Sequence, residues 1–143
     1  MNYLDWNDDQ MSIGVKLIDS QHKELLKIIN QLAISINEHS QRRDVLLIVD
    51  DLISYSAYHF ATEEKLFDKF DYEETEIHQK EHAGFADKFT ALKNKISDDQ
   101  IYFKRSSIEI ASDIFTYIVN WFIDHVLGSD RKYVELFKEK GLH

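Results

Sequence analysis

The chain has 143 residues and a net charge of −9, from 17 basic and 26 acidic side chains. This length predicts a single domain, residues 1–143, with a core large enough to fold without disulfide staples. The acidic balance argues against nucleic acid and anionic membranes as partners, because both bind basic patches. Cysteine is absent, which excludes disulfides, thiolate metal sites and cysteine nucleophiles.

The N-terminal segment has acidic residues where a signal peptide has a basic start and an apolar stretch. The longest strongly apolar segment, residues 114–123, is too short to cross a membrane and contains Asn120. We therefore expect a cytoplasmic protein. We also expect an N-terminal arm over residues 1–17 and a C-terminal tail over residues 131–143 that forms a short helix, both packed outside the main fold.

Long helices are favoured, because proline is absent and only four glycines occur. Apolar positions recur in steps of three and four residues along four stretches: 18–36, 45–70, 78–96 and 108–125. Each stretch predicts one helix that buries a single stripe of side chains. The predicted fold class is therefore all-α.

The predicted connections, residues 37–44, 70–75 and 96–107, are short. Short connections place consecutive helices antiparallel, so we predict an up-down-up-down four-helix bundle. The expected N-cap of the third helix is Thr75 or Asp71, and that of the fourth is Ser106 or Ser107.

Polar side chains occupy several positions in these stripes where leucine or isoleucine would be ordinary. They are His22, His59, Glu63, His78, His82 and His125. A single buried histidine is usually satisfied by its neighbours in the core. So many buried histidines and a glutamate in one small bundle are costly unless something satisfies them together. A metal site does this best.

The spacing of these residues suits a shared centre. His59 and Glu63 are four residues apart, as are His78 and His82, so each pair lies on one face of its helix. Glu64 lies about 100° around the helix from Glu63, and we expect it to face solvent.

Asp130 joins this set only if the last helix changes its geometry. It follows His125 by five residues, which on a regular helix places it about 140° away. Gly128 lies between them and can end or widen the helix. We therefore expect Asp130 to turn back toward the stripe.

The candidate ligands are too many for one zinc ion, which takes about four. Calcium and magnesium prefer oxygen, whereas histidine nitrogen dominates here. Two octahedral first-row ions offer about twelve positions, of which these side chains fill about nine if both carboxylates bridge. A solvent-derived bridge fills about two more and leaves about one open for a small ligand.

Ferroxidase and oxygenase activities are disfavoured for this site. The di-iron carboxylate bundles use the pattern Glu-x-x-His. No glutamate in this sequence stands three residues before a histidine.

Taken in chain order, these motifs resemble the hemerythrin family, in particular its single-domain bacterial members. They are His22, "HFATEE" (59–64), "HQKEH" (78–82), "WFIDH" (121–125) and "GSD" (128–130). The resemblance extends from Trp6 to Asp130 and fills every ligand position of the family. It implies two iron ions with an oxo or hydroxo bridge that bind dioxygen reversibly.

The resemblance also implies a role for each ligand. Three histidines would hold one coordinatively filled iron: His78, His82 and His125. Two would hold the other iron, which keeps an open position: His22 and His59. Glu63 and Asp130 would bridge the two ions.

Four apolar residues lie within one helical turn of these ligands: Leu25, Phe60, Trp121 and Phe122. We predict that they form the dry wall of a dioxygen pocket, because water and protons promote irreversible oxidation.

The resemblance favours an oxygen-binding protein rather than an enzyme, acting as a monomer in storage, delivery or buffering of dioxygen. One alternative is a sensor whose iron state controls a protein partner. Another is a peroxidase-like or nitric-oxide-consuming enzyme, although the nearest other polar groups, Tyr55, Tyr58 and Asp124, form no acid–base constellation. Metal storage is disfavoured because the site is filled and has low capacity.

Overall fold

The structure is a computed structural model that describes residues 3–98 and 107–143. In the second range, side chains are described from residue 109 onward. The long helices are α2 (Lys16–Asn37), α3 (Arg42–Phe70), α4 (Thr75–Ser97) and α5 (Ser107–Trp121), after a short α1 (Asp8–Met11). A π-helical turn (Phe122–Val126), a 3₁₀ turn (Ser129–Tyr133) and α6 (Val134–Glu139) follow. Within the described residues there is no β-strand.

The four long helices close into a ring of packed neighbours. Each packs against the next along the chain, and α5 packs against both α4 and α2. Residues 38–41 and 71–74 connect α2 to α3 and α3 to α4, which is too short for a parallel return. The predicted antiparallel four-helix bundle is confirmed, and the four apolar stretches correspond to its helices.

The main core is built from the predicted stripes. Its fully buried side chains include Leu25, Ile29, Leu32, Val45, Val49, Leu52, Phe89, Ile96 and Ile118. Burial of one such side chain contributes roughly 1.5–3 kcal/mol, so these stripes account for the association of the helices.

A second, smaller core closes the bundle at the end that carries the polar stripe residues. Its buried members are Ile13, Val15, Ile18, Phe67, Tyr133 and Phe137. The predicted C-terminal helix is present as α6, but its packing outside the main fold is not, because Tyr133 and Phe137 are fully buried. The tail therefore contributes to the core next to the polar residues.

The start of the N-terminal arm lies against the side of α2, but Ile13 and Val15 of the same arm are buried in the second core, so the prediction that the whole arm packs outside the main fold is wrong. Asn30, which is buried, accepts hydrogen bonds from the backbone N–H groups of Tyr3 and Leu4 and donates one to the carbonyl oxygen of Leu4. Trp6 lies beside the same helix, with the Lys23 ammonium 5.1 Å from its ring centroid.

The predicted N-caps of α4 are wrong, because both residues serve the end of α3 and the turn after it. Asp71 ends α3 in the left-handed region, with φ of 51°, and its N–H bonds the carbonyl of Phe67. Thr75 is already inside α4, and its hydroxyl donates to the carbonyl of Tyr72. Ser106, most of the predicted connection 96–107 and the side chain of Ser107 lie outside the described residues.

None of the helices in residues 3–98 and 107–143 has both the length and the apolar character needed to cross a bilayer.

Candidate metal centre

The helices bring the predicted ligands to one end of the bundle. His22 lies near the start of α2 and His78 near the start of α4, whereas His59 and Glu63 lie in the second half of α3. Because neighbouring helices run antiparallel, these segments meet at the same end. All seven predicted ligands, including His82, His125 and Asp130, are at most 3% exposed.

His125 and Asp130 are placed by a break in the regular α-helix. After α5 the chain widens into the π turn, in which the Leu127 N–H bonds the carbonyl of Phe122. It then turns at Gly128 into the 3₁₀ segment that carries Asp130. A Cβ at Gly128 would lie 2.4 Å from the carbonyl oxygen of Asp124, so this turn requires glycine. The predicted change of helix geometry at Gly128 is confirmed, and Asp130 is fully buried.

The potential ligand atoms form two adjoining groups. The three-histidine half contains Glu63 with His78, His82 and His125, and the two-histidine half contains Asp130 with His22 and His59. Within each half the ligand atoms lie within 4.8 Å of one another.

Asp130 faces both halves. Its Oδ1 lies 2.9 Å from His78 Nε2 and 3.1 Å from His125 Nε2. Its Oδ2 lies 3.0 Å from His22 Nε2 and 3.7 Å from His59 Nε2. This carboxylate can therefore offer one oxygen to an ion in each half.

Glu63 also lies between the halves. Its Oε1 is 2.8 Å from His59 Nε2 and 3.5 Å from His82 Nε2. Its Oε2 is 3.6 Å from His78 Nε2. Like Asp130, it is in reach of both groups of histidines.

Three of the histidines are held from outside through Nδ1. His82 donates to Glu64 Oε1 at 2.8 Å, and His125 donates to Glu81 Oε2 at 2.6 Å. Carboxylate oxygens only accept, so Nδ1 carries the proton and the Nε2 lone pair points to the centre. This is the tautomer that a metal ligand needs.

His59 is held in the same way by an amide. Its Nδ1 donates to Gln21 Oε1 at 2.7 Å, and Gln21 Nε2 donates to Thr62 Oγ1 at 3.1 Å. Thr62 in turn donates to the carbonyl of Tyr58. This series of hydrogen bonds fixes the Gln21 amide with its oxygen facing His59.

The prediction that Glu64 faces solvent is wrong. Its side chain is 35% exposed and bonds His82, because the face about 100° from Glu63 is directed at α4 rather than at water. Glu81 and Gln21 carried no predicted role. Each stands one residue before a ligand, and a residue so placed can reach a ligand on the neighbouring helix.

Two of the predicted wall residues cover the three-histidine half. The ring of Phe60 stacks on His82, with centroids 3.9 Å apart and planes at 12°. Trp121 stacks on His125, with centroids 4.6 Å apart and planes at 14°.

The other two wall residues lie nearer the two-histidine half. Phe122 meets His22 edge to face, with ring centroids 6.5 Å apart. Leu25 is fully buried and lies one helical turn from His22. Phe122 therefore contacts the two-histidine half, and Leu25 lies on the same helix one turn after His22.

The buried atoms that face the centre fit metal ions. Among the described residues, several of them make no hydrogen bond: both oxygens of Glu63, Oδ1 of Asp130, and Nε2 of His78, His82 and His125. Each such unsatisfied group costs about 1–3 kcal/mol. Imidazole nitrogens with carboxylates between them suit first-row transition ions, which would satisfy all these atoms at once.

Without metal, protons balance the charges of the centre. Burial opposes protonation of His59, but the charge of Glu63 and the close approach of the Asp130 and Glu63 oxygens outweigh it and raise the pKa of His59 to about 10. The same carboxylates overcome burial at His78 and raise its pKa to about 9. In turn the histidines hold the pKa values of Glu63 and Asp130 below their usual range despite burial.

We expect the metal-free protein to lose stability as the pH rises above 6.5, the ordinary pKa of histidine, toward about 9 and 10. Below this window, His59 and His78 are protonated in both the folded and unfolded chains, so their full contribution is present. Within it, the folded chain keeps protons that the unfolded chain has released, and the free energy of unfolding falls. Urea titrations of chelator-treated protein across this window measure the effect.

The metal-loaded protein is the control for this prediction, because bound ions replace those protons and require neutral imidazole. Its stability should not fall over the same window. A metal-free protein whose stability is constant or rises between these pH values would contradict the charge balance described above.

The sequence comparisons agree with this geometry. Residues 13–137 match the hemerythrin family, described as the hemerythrin HHE cation binding domain. The bacteriohemerythrin of Stenotrophomonas maltophilia (strain R551-3) is 27% identical over 138 residues, which cover 96% of this chain and 84% of that protein. The bacteriohemerythrin of Clostridium acetobutylicum is 27% identical over 130 residues, 89% of this chain and 96% of that protein. A hemerythrin-like protein of Naegleria gruberi is 27% identical over 126 residues, 88% of this chain and 87% of that protein.

Solved structures show the same fold. The crystal structure of a wild-type hemerythrin superposes with a TM-score of 0.81 at 22% identity and covers 94% of this chain and 97% of that chain. Because the family match spans residues 13–137 and includes every candidate ligand, this chain belongs to the hemerythrin family.

Proposed function

We propose that this protein binds dioxygen reversibly at a non-haem di-iron centre and so stores, delivers or buffers it. The observation that carries the proposal is the division of the buried ligands into a three-histidine half and a two-histidine half with carboxylates between them. This arrangement supports two ions with unequal coordination. Membership of the hemerythrin family supports iron as the metal.

The ligand roles follow from this division. His78, His82 and His125 would hold one iron, and His22 and His59 would hold the other. The separate contacts of the two Asp130 oxygens with the two halves support a bridging role, and the position of Glu63 supports the same. When bound, the iron pair supplies the electrons and the open position that reversible dioxygen binding requires.

The residues around the centre would keep it dry. Phe122 is 1% exposed and contacts the ring of His22, and Leu25 is fully buried one helical turn after His22. Phe67 and Tyr133 of the second core cover the ring of His78, with centroids 4.8 Å and 5.8 Å away. Exclusion of water and protons from this volume would slow irreversible oxidation of the metal.

We further propose that the protein acts as a monomer in the cytoplasm, with dioxygen as its ligand and neither nucleic acid nor membrane as a partner. The net charge of −9 supports the exclusion of nucleic acid and membrane as partners, because nucleic acid and anionic lipid would be repelled. Sedimentation of the loaded protein tests the monomeric state, and fractionation of cells tests the cytoplasmic location.

The experiment that tests the function is an oxygen cycle. Protein loaded with ferrous iron under anaerobic conditions should gain visible absorbance on exposure to air and lose it again when the gas is replaced by argon. The cycle should repeat on the same sample. Absorbance that forms once and does not reverse, or rapid catalytic turnover of peroxide or nitric oxide, would contradict an oxygen carrier and favour the enzyme alternative.

We expect Phe122→Ala to accelerate irreversible oxidation of the loaded protein by about tenfold, which corresponds to about 1.4 kcal/mol in the barrier. The truncation opens a path for water beside His22. The oxidation rate of the oxygenated protein in air measures the effect.

Phe89→Ala is the matched control for this variant. Phe89 is fully buried in α4, but its ring packs against Phe85 and Tyr117, away from the ligands. Both variants should lose about 3–5 kcal/mol of stability. Equal oxidation rates in the two variants would show that Phe122 acts through stability alone.

A further inference from the structure

The two halves of the centre differ in the groups that hold their histidines from outside. In the three-histidine half, two imidazoles donate to carboxylates: His82 to Glu64 at 2.8 Å and His125 to Glu81 at 2.6 Å. The two-histidine half has no such carboxylate among the described residues. His59 donates to the neutral amide of Gln21, as described above, and the buried Nδ1 of His22 has no hydrogen-bond partner within the described part of the chain.

This difference changes how strongly the two sets of imidazoles donate to a metal. A carboxylate that accepts the Nδ1 proton raises the basicity of Nε2 and fixes the orientation of the ring. Hydrogen bonds to a charged acceptor are roughly twice as strong as neutral ones. An amide gives a weaker effect, and an imidazole without an acceptor gains none.

The carboxylates also fix the geometry across helices. Glu64 lies on α3 and holds a histidine of α4, whereas Glu81 lies on α4 and holds a histidine of the π turn. The rings that they hold are also stacked, on Phe60 and Trp121 respectively. In the three-histidine half, therefore, two rings are oriented from two directions before any metal arrives.

We propose that Glu64 and Glu81 make the three-histidine half the high-affinity half, so that the centre loads in order and this half fills first. Both glutamates are positioning residues, because each acts through the histidine that it holds. Gln21 keeps the two-histidine half weaker. The inference rests on the proposed two-metal centre and adds to it a sequence of assembly set by residues that are not ligands.

A cobalt(II) titration of the full-length, metal-free protein tests the proposal. Calorimetry and the visible absorbance of cobalt measure the two stepwise dissociation constants. The wild-type protein should bind its first cobalt ion more tightly than its second. Glu64→Gln and Glu81→Gln should each weaken the first step by about 10–100-fold and leave the second step nearly unchanged.

Two further variants separate this effect from a general loss of structure. Gln21→Glu should tighten the second step and reduce the difference between the two steps. Glu76→Gln is the matched control, because Glu76 lies on α4 with its side chain 83% exposed and paired with Lys80 rather than with a histidine. It should leave both steps unchanged, and the metal-free variants should unfold at similar urea concentrations.

The outcomes are distinguishable. Two cobalt sites whose affinities are unchanged, or equally weakened, in Glu64→Gln and Glu81→Gln would overturn this inference alone. A wild-type protein that binds a single cobalt ion would overturn the proposed two-metal centre together with it. Selective weakening of the first step in Glu64→Gln and Glu81→Gln, together with a tighter second step in Gln21→Glu, supports the ordered assembly.

Discussion

Replacement of His82 by alanine should lower the iron content of the purified protein by about half or more and abolish the dioxygen-dependent absorbance. The change removes one of the nitrogens that face Glu63 and leaves a gap where the ring stacks on Phe60. An ion in the three-histidine half would then have an open position that water can occupy. Metal analysis and the absorbance of the oxygenated protein measure the two effects.

His143→Ala is the control for this variant, because the same side chain is removed from an exposed position at the C-terminus. It should retain the wild-type iron content and oxygen cycle. Normal oxygen binding by His82→Ala would show that His82 is not a ligand, and the proposed division of the histidines between two ions would be wrong.

Gly128→Ala should destabilise the protein by about 1–3 kcal/mol or more and reduce its metal content, although Gly128 is not itself a ligand. The new Cβ would lie 2.4 Å from the backbone carbonyl oxygen of Asp124, and a backbone atom cannot move aside as a side chain can. Either the π turn or the 3₁₀ turn must shift. Such a shift moves Asp130, the carboxylate that contacts both halves of the centre.

Gly84→Ala provides the matched control within α4. An added Cβ there meets nothing within 4 Å, and alanine stabilises a helix by about 0.5–1 kcal/mol relative to glycine. Urea unfolding should therefore show a loss of stability in Gly128→Ala and a gain in Gly84→Ala. Metal analysis should show a loss of metal in Gly128→Ala only. A Gly128→Ala protein with wild-type stability and metal content would contradict the role given to this turn.

The bundle and the burial of the candidate ligands on its helices could be predicted from the sequence because both follow from helical periodicity. Residues such as His59 and Glu63 lie on the same stripe as the apolar core positions, so the burial of the stripe also buries them. The inward position of Asp130 could be predicted only from the physical requirement that the helix change its path at Gly128. The π turn and the 3₁₀ turn together supply that change.

The outer hydrogen bonds of the centre could not be predicted in the same way. Whether Glu64 meets water or His82 depends on how α3 is rotated against α4, and the period of one helix carries no information about its neighbour. The same holds for Glu81 and Gln21. Each pairs with a histidine on another element, far away in sequence.

The ends of the helices and the packing of the tail could not be predicted from local sequence signals, for a different reason. Asp71 and Thr75 both have N-capping side chains, but the left-handed end of α3 uses the first and the turn after it uses the second. Tyr133 and Phe137 look like members of a short amphipathic tail. Their full burial arises because the tail folds over the open end of the bundle beside His78.

These features connect the metal centre to the stability of the whole bundle. The candidate ligands lie on α2, α3 and α4 and on the π and 3₁₀ turns that follow α5, so two bound ions would join all of these segments at one end of the bundle. Because binding to the folded state alone stabilises it, loading with metal should raise the urea midpoint, with a larger effect at high pH where the protons on His59 and His78 no longer contribute.

The most direct measurement of a paired metal centre is anomalous diffraction at the iron edge from crystals of the iron-loaded protein. Two anomalous peaks should appear inside the bundle, one among His78, His82 and His125 and the other beside His22 and His59, with the Asp130 carboxylate between them. A single peak, or two peaks bound by surface carboxylates with these histidines turned away, would contradict a di-iron centre.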